Sequence, residues 1–576
     1  MPETRSLRFL MLACDYDGTL AKDGRVSPGT IGSLERFVAS GRKLVLVTGR
    51  ELDDLQRTFD RLDLFDRVVA ENGALLYNPA QREEKALADP PPLGFVPLLQ
   101  QRGVTPISVG RVIVATWRPH ETAVMDTIRD LGLELQVIFN KGAVMVLPSG
   151  VNKRTGLDAA LRDLGFSLRN TAGVGDAEND HAFLNACECS VVVANALPAL
   201  RETADLVTAG DHGVGVQELV DLMLSDDLVT LEPRLERHWV PIGRSDAGEE
   251  IRLRPFGQNV MVAGTSGSGK TTLTTGFIER VTEAGYQICH IDPEGDFEMI
   301  EGVVGLGDRH RCPSEDEVIG LLRDPRENVS VRLVGLSMAD RPAFFSRLLP
   351  RLLEMRAHFG RPHVILLDET HHLLPSTWDP AVLAVPARLD GLFMITVHPE
   401  HLAAQVVEEL DVAIVLGKAP AETMRAIAAR LPERAVEVPA EPLETGRAIV
   451  WDRRAERPPI AISFDQGRTE RRRHIRKYAE GELPPERSFF FRGPNGKLNL
   501  QAQNLFLFVQ IGDGVDDATW LHHLHRGDYS RWFREKIKDD DLSAAAGRIE
   551  RDNRLSARES RALIRKIIED RYRLPA

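Results

Sequence analysis

Two aspartates separated by one residue follow the first apolar run of the chain. Asp15 and Asp17 stand in the segment DYDGTL, directly after the mostly apolar residues 7–14. On an extended segment, residues i and i+2 point the same way, so both carboxylates face one site. One carboxylate can form an aspartyl-phosphate, while the other protonates the leaving oxygen and later deprotonates water. Taken alone, the pair also fits an Asp-Gly turn that binds calcium or nothing.

Three further motifs offer the groups that this chemistry needs. Thr48 closes the next apolar run with a hydroxyl and backbone N–H groups for a phosphoryl oxygen, and the ammonium of Lys153 can neutralise negative charge. The segment GDAEND, residues 175–180, ends another apolar run and contributes carboxylates. Mg²⁺ prefers oxygen ligands, and the cation screens the repulsion between a carboxylate and a phosphate dianion. We therefore predict Mg²⁺-dependent hydrolysis of phosphomonoesters.

These four motifs, in this order, resemble the haloacid dehalogenase (HAD) phosphatase superfamily over about residues 7–222. The segments ENGA (71–74), VANA (193–196) and ADLVT (204–208) are also similar to its sugar-phosphatase (Cof-type) branch. The resemblance implies a Rossmann-like fold and an α/β cap, inserted at about residues 80–150, that closes over the substrate.

The resemblance also implies a role for each motif residue. Asp15 corresponds to the nucleophile and Asp17 to the general acid/base, while Thr48 and Lys153 hold the phosphoryl group. A Mg²⁺ ion is bound or supported by four residues: Asp15, Asp17 through its backbone carbonyl, Asp176 and Asp180. The alternative is a degenerate domain that senses phosphate without turnover, although every motif residue is present.

The cap residues decide which phosphate ester enters, and the sequence says little about them. Four polar side chains of the insertion could meet an acidic or polar substrate, or could equally be solvated surface groups: Arg111, Arg118, Asn140 and Lys141.

A second site begins at a glycine-rich segment, GTSGSGKT, residues 264–271, which fits the pattern GxxxxGK[ST] in full. It follows an apolar strand pattern and precedes a helical one, so its backbone N–H groups can wrap phosphates at a helix N-terminus. Lys270 is expected to reach the β- and γ-phosphates of ATP, and Thr271 to ligate Mg²⁺. The nucleotide-binding candidates of this segment are Gly264, Gly267, Gly269, Lys270, Thr271 and Thr272.

An acidic pair completes this second site. The apolar run 364–367 ends in Asp368 and Glu369, the Walker B arrangement. Asp368 would orient the magnesium shell and Glu369 would polarise the attacking water. The alternative is a buried strand with an accidental acidic end.

The nucleotide motifs resemble the HerA/FtsK-like branch of additional-strand ATPases over about residues 238–450. The segments VPIGR (240–244) and DPEGDF (292–297) add to the resemblance. It implies ATP hydrolysis, a homo-oligomer with a hexamer as the leading size, and nucleic acid as a partner to be tested. Two departures weaken the last implication. Only a short segment precedes the core where HerA proteins carry a β-barrel, and the sensor position, often Gln, holds Thr396 or His398.

An arginine from a neighbouring subunit often completes the transition-state charge in such ATPases. No arginine inside the Walker motifs can serve obviously within one chain, and four arginines precede the Walker B strand. These candidates, which could also be solvated helix surface, are Arg347, Arg351, Arg356 and Arg361.

The elements that must position these groups alternate short apolar runs with helical patterns, which predicts an α/β fold. We expect a HAD Rossmann-like domain at 1–225, a RecA-like P-loop ATPase domain at 238–465, and a mainly helical C-terminal domain at 478–576. An arginine-rich linker, 468–477, joins the last two.

The C-terminal region has no recognisable activity. Apolar residues at 499–511 have near-helical spacing, and Ser556 with Glu559 predicts a capping box. A metal site at His522, His523 and His525 is disfavoured, because adjacent histidines face apart on a helix. The aromatic residues beside arginines, Trp520 and Trp532, favour a helical core over stacking on nucleic acid.

Composition excludes several classes. The 576 residues carry 72 Lys+Arg against 85 Asp+Glu, a formal charge of −13, which argues against coating nucleic acid or anionic membrane by bulk charge. Five cysteines without paired spacing predict free thiols in a reducing compartment. No apolar run reaches 18 residues, and the apolar N-terminal run is short and leads into a motif, so we expect a cytoplasmic protein without a membrane partner.

Three functions remain open. The leading hypothesis is a Mg²⁺-dependent phosphomonoesterase, acting on a small phosphate ester, fused to an ATP-binding and hydrolysing module. The alternatives are an ATP-driven nucleic-acid-processing machine with end-phosphatase activity, and a metabolite phosphatase regulated by nucleotide binding.

Overall fold

The computed structural model divides into two compact units, residues 1–465 and 466–576. It describes residues 7–140, 142–295, 297, 300–377, 389–431, 438, 441–455, 457–468, 483, 485, 487–494, 496, 498–537, 539–552 and 554–572. Most of the predicted linker 468–477 and the side chains of Asn140 and Lys141 lie outside the described residues.

The first part of the larger unit contains a main sheet and a smaller cap sheet. Its strands are β1 (Met11–Asp15), β2 (Lys43–Val47), β3 (Arg67–Ala70), β4 (Leu75–Asn78), β5 (Glu83–Ala86), β6 (Ser108–Val109), β7 (Val114–Trp117), β8 (Leu135–Asn140), β9 (Ala143–Pro148), β10 (Thr171–Gly175), β11 (Cys189–Val192) and β12 (Leu206–Val207). The main sheet has the order β12-β11-β10-β1-β2-β3-β4-β5 and the cap sheet the order β6-β7-β9-β8.

The centre of the main sheet is parallel, from β12 to β3, and its inner strands β1, β10 and β11 are fully buried. Buried parallel strands covered by helices on both faces are typical of α/β folds, as the alternating pattern predicts. The helices of this part are α1 (Pro28–Ala39), α2 (Leu52–Thr58), α3 (Phe95–Gln101), α4 (Glu121–Asp130), α5 (Lys153–Leu164), α6 (His181–Ala186), α7 (Pro198–Thr203) and α8 (His212–Asp226).

The insertion predicted at about 80–150 is divided between two layers. β5 pairs antiparallel with β4 and extends the main sheet, because a turn held by the Asn78 side chain returns the chain beside β4. The elements from α3 to β9 form the separate cap sheet with its own apolar cluster.

A second large sheet follows in the same unit. Its strands are β13 (Val240–Ser245), β14 (Glu250–Leu253), β15 (Val260–Gly264), β16 (Ile288–Asp292), β17 (Val303–Leu306), β18 (Asn328–Arg332), β19 (Val364–Leu367), β20 (Leu392–Thr396), β21 (Val412–Leu416), β22 (Arg447–Asp452) and β23 (Ile460–Phe464). The order is β14-β13-β23-β22-β21-β15-β20-β19-β16-β18-β17. One strand, β20, therefore lies between the strand before the glycine-rich loop, β15, and the strand before the acidic pair, β19.

Helices cover this second sheet. They are α9 (Lys270–Glu283), α10 (Glu315–Leu322), α11 (Arg341–Phe359), α12 (Ala404–Glu408) and α13 (Pro420–Ala428). The two neighbours of β20 in the sheet, β15 and β19, run parallel to it, and β21 runs parallel to β15. Beyond β21 the sheet continues with antiparallel pairs of strands, in the order β22, β23, β13 and β14. The apolar clusters on its two faces are buried.

A buried polar network joins the two large sheets. The side chain of Glu188, between α6 and β11, is fully buried and accepts hydrogen bonds from Arg8, Arg169 and the Tyr286 hydroxyl, the last at 2.8 Å. Burial alone would raise the pKa of Glu188, but the charges of the two arginines outweigh it and lower that pKa to about 2. An ionised carboxylate next to β11 of the first sheet therefore accepts a hydrogen bond from Tyr286, which lies between α9 and β16 of the second sheet.

A second link connects the starts of two strands that lead to the predicted sites. His363 precedes β19, and its Nδ1 accepts a hydrogen bond from the backbone N–H of Gln287. Its other ring nitrogen therefore carries the proton and donates to Asn170 Oδ1 at 2.9 Å. Asn170 directly precedes β10, and its amide also donates to the Gly360 carbonyl.

The smaller unit is mainly helical. Its strands are Phe489–Phe491 and Leu500–Ala502, and its helices are Leu505–Gly514, Asp517–His525, Asp528–Trp532, a π-helix at Phe533–Ile537, Asp540–Glu550 and Ala557–Glu569. The predicted capping box of Ser556 and Glu559 is present. The helix predicted from 499 starts later, at Leu505, because residues 500–502 pair with the first strand and Asn504 caps the helix.

The prediction that the C-terminal tryptophans belong to a helical core agrees with the structure. Trp520 and Trp532 are buried in the core of this unit. His523 is buried and contacts Asp528, so it holds a local turn. Across the chain the five cysteines are free thiols, four of them buried. Among the described residues, no helix combines the length and apolar character needed to cross a membrane.

Candidate functional sites

The first site lies where β1 and β10 end side by side. These strands are parallel neighbours, so Asp15 at the end of β1 and Asp176 after β10 lie at one edge of the sheet. Oxygens of Asp15, Asp176 and Asp180 all lie within 4.8 Å of one another, and the three residues are buried. The structure thus brings Asp15 next to Asp176 and Asp180, two carboxylates from a distant part of the sequence.

Lys153 enters the same cluster from helix α5. Asn152 caps this helix in a reciprocal capping box with Thr155, which places Lys153 at the first helical position. Its Nζ donates to Asp15 Oδ1 at 2.5 Å and to Asp180 Oδ1 at 2.6 Å. Burial alone would lower the pKa of Lys153, but the two carboxylates outweigh it and hold that pKa above its usual value.

Asp180 organises the loop that carries Asp176. Its second oxygen, Oδ2, accepts hydrogen bonds from the backbone N–H groups of Asp176 and Ala177, both at 2.9 Å. The Thr19 hydroxyl donates to Asp176 Oδ1 at 3.2 Å. Because Asp180 is also bonded to Lys153, it links the ammonium to the loop and fits a supporting position around a metal.

The carboxylate cluster suits a hard cation. Burial, then the negative charge of Asp180 and Asp176, raises the pKa of Asp15 to about 8, and Lys153 opposes this rise. Buried carboxylates that repel one another are stabilised by a divalent cation, and an all-oxygen donor set suits Mg²⁺. The residues present therefore fit the predicted magnesium ion.

Asp17 has a partner that the motif analysis did not anticipate. Arg50 donates to both carboxylate oxygens of Asp17, from Nε at 2.6 Å and from Nη2 at 2.7 Å, and its third nitrogen donates to Asp54. Such a two-point contact fixes both the position and the plane of a carboxylate. The signal in the sequence was an arginine directly after Thr48-Gly49.

Thr48 lies at the end of β2, next to the end of β1. The parallel pairing places Asp15 opposite Val47, the residue before Thr48. The Thr48 side chain is buried and its Oγ1 accepts the backbone N–H of Arg50 at 3.1 Å. The role of Thr48 in holding a phosphoryl group stays a prediction.

Glu71 ties the cap to the main sheet, a role that sequence reasoning missed. Its carboxylate accepts hydrogen bonds from the backbone N–H groups of Arg111, Val112 and Ile113 at 2.8–2.9 Å.

Two residues after Glu71, Gly73 has φ of +105°, and a Cβ there would lie 2.0 Å from the carbonyl oxygen of Asn152. Only glycine lets α5 approach so closely.

A cavity of about 620 Å³ separates the carboxylate cluster from the cap. Its polar lining includes Asp15, Asp17, Arg50, Arg57 and Lys153, and its cap wall includes Trp117 and Met145. Of the four predicted cap residues, Arg111 instead forms ion pairs with Asp53 and Glu84. Arg118 packs over the ring of Phe139.

The glycine-rich loop of the second site runs from the end of β15 into α9. Gly269, with φ of +99°, precedes the first helical residue, Lys270, and Thr271 and Thr272 follow in the first turn. Lys270 Nζ donates to the carbonyls of Gly264 at 3.0 Å and Thr265 at 3.2 Å. Burial lowers the pKa of Lys270, against the opposing charges of Glu369 and Asp368.

The acidic pair ends β19, two strands away from the loop. The Asp368 backbone N–H donates to the Ile291 carbonyl, and Glu369 adopts φ of +39°, a left-handed conformation that costs energy for a residue with a side chain. Between loop and pair, β20 ends at buried Thr396, whose hydroxyl lies 3.2 Å from His371 Nδ1. The structure thus brings the loop, the pair and one predicted sensor residue to the same sheet edge, while His398 lies two residues further on.

Two of the four candidate arginines are buried and form hydrogen bonds within the chain. Arg356 is buried and donates to the carbonyls of Pro362 and Asp390, and Arg361 is buried and donates to the carbonyls of Gly165, Leu322 and Arg323. Because both guanidinium groups are bonded to carbonyls of their own chain, these two arginines do not suit the active site of a neighbouring subunit. Arg347 and Arg351 form exposed ion pairs with Glu315 and Asp316.

Comparison with known proteins concerns the first site. The family described as haloacid dehalogenase-like hydrolase matches residues 12–89 and 129–220. A phosphoglycolate phosphatase of Methanothermobacter thermautotrophicus is 31% identical over 219 residues, which are 36% of this chain and 96% of that relative. Phosphoglycolate phosphatase 2 of Saccharolobus solfataricus is 31% identical over 225 residues, 38% of this chain and 93% of the relative. A solved haloacid dehalogenase-like hydrolase from Bacteroides thetaiotaomicron is 18% identical with a TM-score of 0.33, covering 37% of this chain and 99% of that one.

Proposed function

This chain belongs, through its N-terminal region, to the haloacid dehalogenase-like hydrolases, and on that basis we propose that it hydrolyses phosphomonoesters through an aspartyl-phosphate on Asp15. The observation that supports this most is the buried contact of Lys153 with Asp15 and Asp180, since Lys153 and Asp15 line the cap cavity. A buried ammonium that holds a carboxylate in place beside two others is an arrangement suited to a nucleophile.

The reaction has two displacements. An oxygen of Asp15 attacks phosphorus, the bond from phosphorus to the ester oxygen breaks, and Asp17 gives that oxygen a proton. Asp17 then takes a proton from water, which attacks the aspartyl-phosphate and restores Asp15 with release of phosphate. Asp15 and Asp176 would hold Mg²⁺, which neutralises charge on the phosphoryl oxygens.

The surrounding residues orient these two carboxylates. Lys153 lies against Asp15 and reduces the charge repulsion that an incoming phosphate meets. Arg50 fixes the plane of Asp17 at the cavity wall. Asp180 keeps both Lys153 and the Asp176 loop in place.

The substrate is proposed to be a small anionic phosphate ester. Two relatives of similar length to this domain are named phosphoglycolate phosphatases, which makes phosphoglycolate the first compound to test.

A panel of phosphate esters tests the proposal. Phosphate release is measured with Mg²⁺ from phosphoglycolate, sugar phosphates, nucleotides and 5′-phosphorylated oligonucleotides. Asp15→Asn should abolish turnover, because the amide keeps the volume but is a very poor nucleophile. The matched control is Asp63→Asn, the same change at an exposed side chain. More than about a tenth of the wild-type rate in Asp15→Asn, a barrier change below about 1.4 kcal/mol, would contradict the assignment.

We further propose that the second sheet binds and hydrolyses ATP. The specific observation is the loop that ends in Gly269 and Lys270 at the N-terminus of α9, with Asp368 and Glu369 two strands away. ATP turnover is measured for the full chain and for Lys270→Ala, with and without double-stranded DNA. Stimulation by DNA supports a nucleic-acid-processing machine, whereas ATP binding without turnover supports a nucleotide-controlled phosphatase.

A further inference from the structure

A cluster of imidazoles lies just beyond β20 and includes His398, one of the two candidates for the sensor position. After Thr396 the chain forms a short 3₁₀ turn, Pro399–His401. His398, Glu400 and His401 each present one ligand atom, and these atoms lie within 4.8 Å of one another. The two rings are stacked with centroids 4.9 Å apart, and His398 Nδ1 lies 2.9 Å from Glu400 Oε1.

A third imidazole, that of His371, contacts this cluster on the side of the acidic pair, Asp368 and Glu369. The ring of His371 lies edge-on to that of His398, with centroids 5.4 Å apart. The Nδ1 atom of His371 lies 3.2 Å from the Thr396 hydroxyl at the end of β20. The His371 ring therefore lies between the end of β20 and His398.

The backbone of the turn is held by contacts that do not use the ligand side chains. The Arg430 guanidinium donates to the carbonyls of Glu400 and Leu402, and the backbone N–H of Ser376 donates to the His401 carbonyl at 2.8 Å. Because the turn is already fixed, only side-chain rotation is needed to bring three donor atoms to one ion.

We propose that His398, Glu400 and His401 form a binding site for a divalent transition-metal ion of the Zn²⁺ class. Two imidazoles and one carboxylate are a donor set that suits Zn²⁺, Co²⁺ or Ni²⁺, whereas Mg²⁺ prefers oxygen alone. The ion therefore differs in class from the one that suits Asp15 and Asp176. Three protein ligands leave one position of a tetrahedral ion for water or for His371.

Metal binding at this site would slow the ATP hydrolysis proposed above, a consequence that rests on that proposed function. His371 Nδ1 lies 3.5 Å from Glu369 Oε2 on one side, and the His371 ring contacts that of His398 on the other. A cation bound to His398 adds positive charge one side chain away from Glu369. The carboxylate becomes a weaker base for the attacking water.

Calorimetric titration of the full-length protein with Zn²⁺ tests the site directly. Excess Mg²⁺ is present throughout to occupy oxygen-only sites. The wild-type protein should bind one equivalent, and the double variant His398→Ala/His401→Ala should bind it at least about 100-fold more weakly, since two of three ligands are gone. The control is His310→Ala, which removes an exposed imidazole in another loop and should leave the affinity unchanged.

Two results would overturn the site. One is a wild-type protein that binds no Zn²⁺ under these conditions, and the other is a double variant that binds as tightly as wild type. Glu400→Gln gives an independent reading, because it keeps the size and exposure of the side chain and removes the anionic ligand. Its Zn²⁺ affinity should fall, and an unchanged affinity would remove Glu400 from the site.

The effect on turnover is read separately from binding. With Mg²⁺ constant, added Zn²⁺ should slow ATP hydrolysis by the wild-type protein and leave the double variant at its zinc-free rate. Equal slowing of both proteins would refute the coupling to Glu369 while leaving the binding site in place. A protein that binds Zn²⁺ in the predicted way but hydrolyses no ATP would refute the proposed ATPase activity and not the metal site.

Discussion

Binding of Mg²⁺ to the carboxylate cluster should depend steeply on pH. Burial and the charges of Asp180 and Asp176 raise the pKa of Asp15 to about 8, so the carboxyl group is mostly protonated at pH 7 when no cation is bound. A cation favours the ionised form, and binding must therefore expel the proton. Affinity should rise with pH up to about 8 and level off above it.

The size of the effect follows from that pKa. With a pKa of about 8, the carboxyl group is about 0.9 protonated at pH 7 and about 0.1 protonated at pH 9, which sets the number of protons released per ion. The apparent affinity is reduced by a factor of 1 + 10^(8 − pH), which is about 11-fold at pH 7 and about 100-fold at pH 6.

Titration calorimetry in two buffers of different ionisation enthalpy measures the released protons. The titration is done without nucleotide, so that the glycine-rich loop adds no nucleotide-linked Mg²⁺. Asp15→Asn is the control, because it removes the titrating group and should remove both the proton release and the pH dependence of the remaining affinity. Release of fewer than about 0.2 protons at pH 7 by the wild-type protein would refute the reasoning.

The remaining predictions concern the polar network around Glu188 and the second site. Glu188→Gln leaves two buried arginines without their counter-charge, so it should lower the free energy of unfolding of the larger unit by about 3 kcal/mol, as measured by calorimetry. The control is Glu35→Gln, at an exposed ion pair, which should lower that free energy by less than about 1 kcal/mol. Because the pKa of Glu188 is lowered to about 2, this stabilisation should be complete above about pH 4.5 and be lost as pH falls through about 2; a wild-type protein as stable at pH 2 as at pH 6 would contradict it. Lys270→Ala should remove ATP turnover and leave phosphate release from a simple ester nearly unchanged, and equal loss of both in a folded protein would mean that the sites act as one. Glu369→Gln should bind ATP and hydrolyse it slowly. ATPase activity per chain should rise with protein concentration if the predicted homo-oligomer forms the active site. An ATPase rate per chain that stays flat while light scattering shows the chain assembling would refute the oligomer prediction.

Both predicted phosphate sites rest on local patterns in the sequence. Asp15 and Asp17 share one strand end, and Gly269 with Lys270 mark one loop-to-helix junction. Apolar runs that alternate with helical patterns likewise predicted an α/β fold with sheets, and the structure contains two large sheets. Short-range geometry, set by backbone dihedral preferences and side-chain periodicity, is sufficient for such inferences.

Alternatives that the sequence left open depend on long-range pairing. Arg111 was a candidate substrate contact, yet it pairs with Asp53 and Glu84, and Arg361 was a candidate for a neighbouring active site, yet it is buried between the two sheets. The partner of a charged side chain depends on which surfaces meet after folding. Charge type and sequence position do not contain that information.

The amino-acid sequence by itself determined which groups can do chemistry here and on which strand ends they stand. Only the tertiary structure decided which side chains contact each other. Lys153 lies between Asp15 and Asp180, and Arg50 contacts Asp17. His371 lies between Glu369 and His398. The physical reason is that strand order and helix packing arise from burying apolar faces shared by distant segments. Neighbour relations at a sheet edge are a property of that packing rather than of any local pattern.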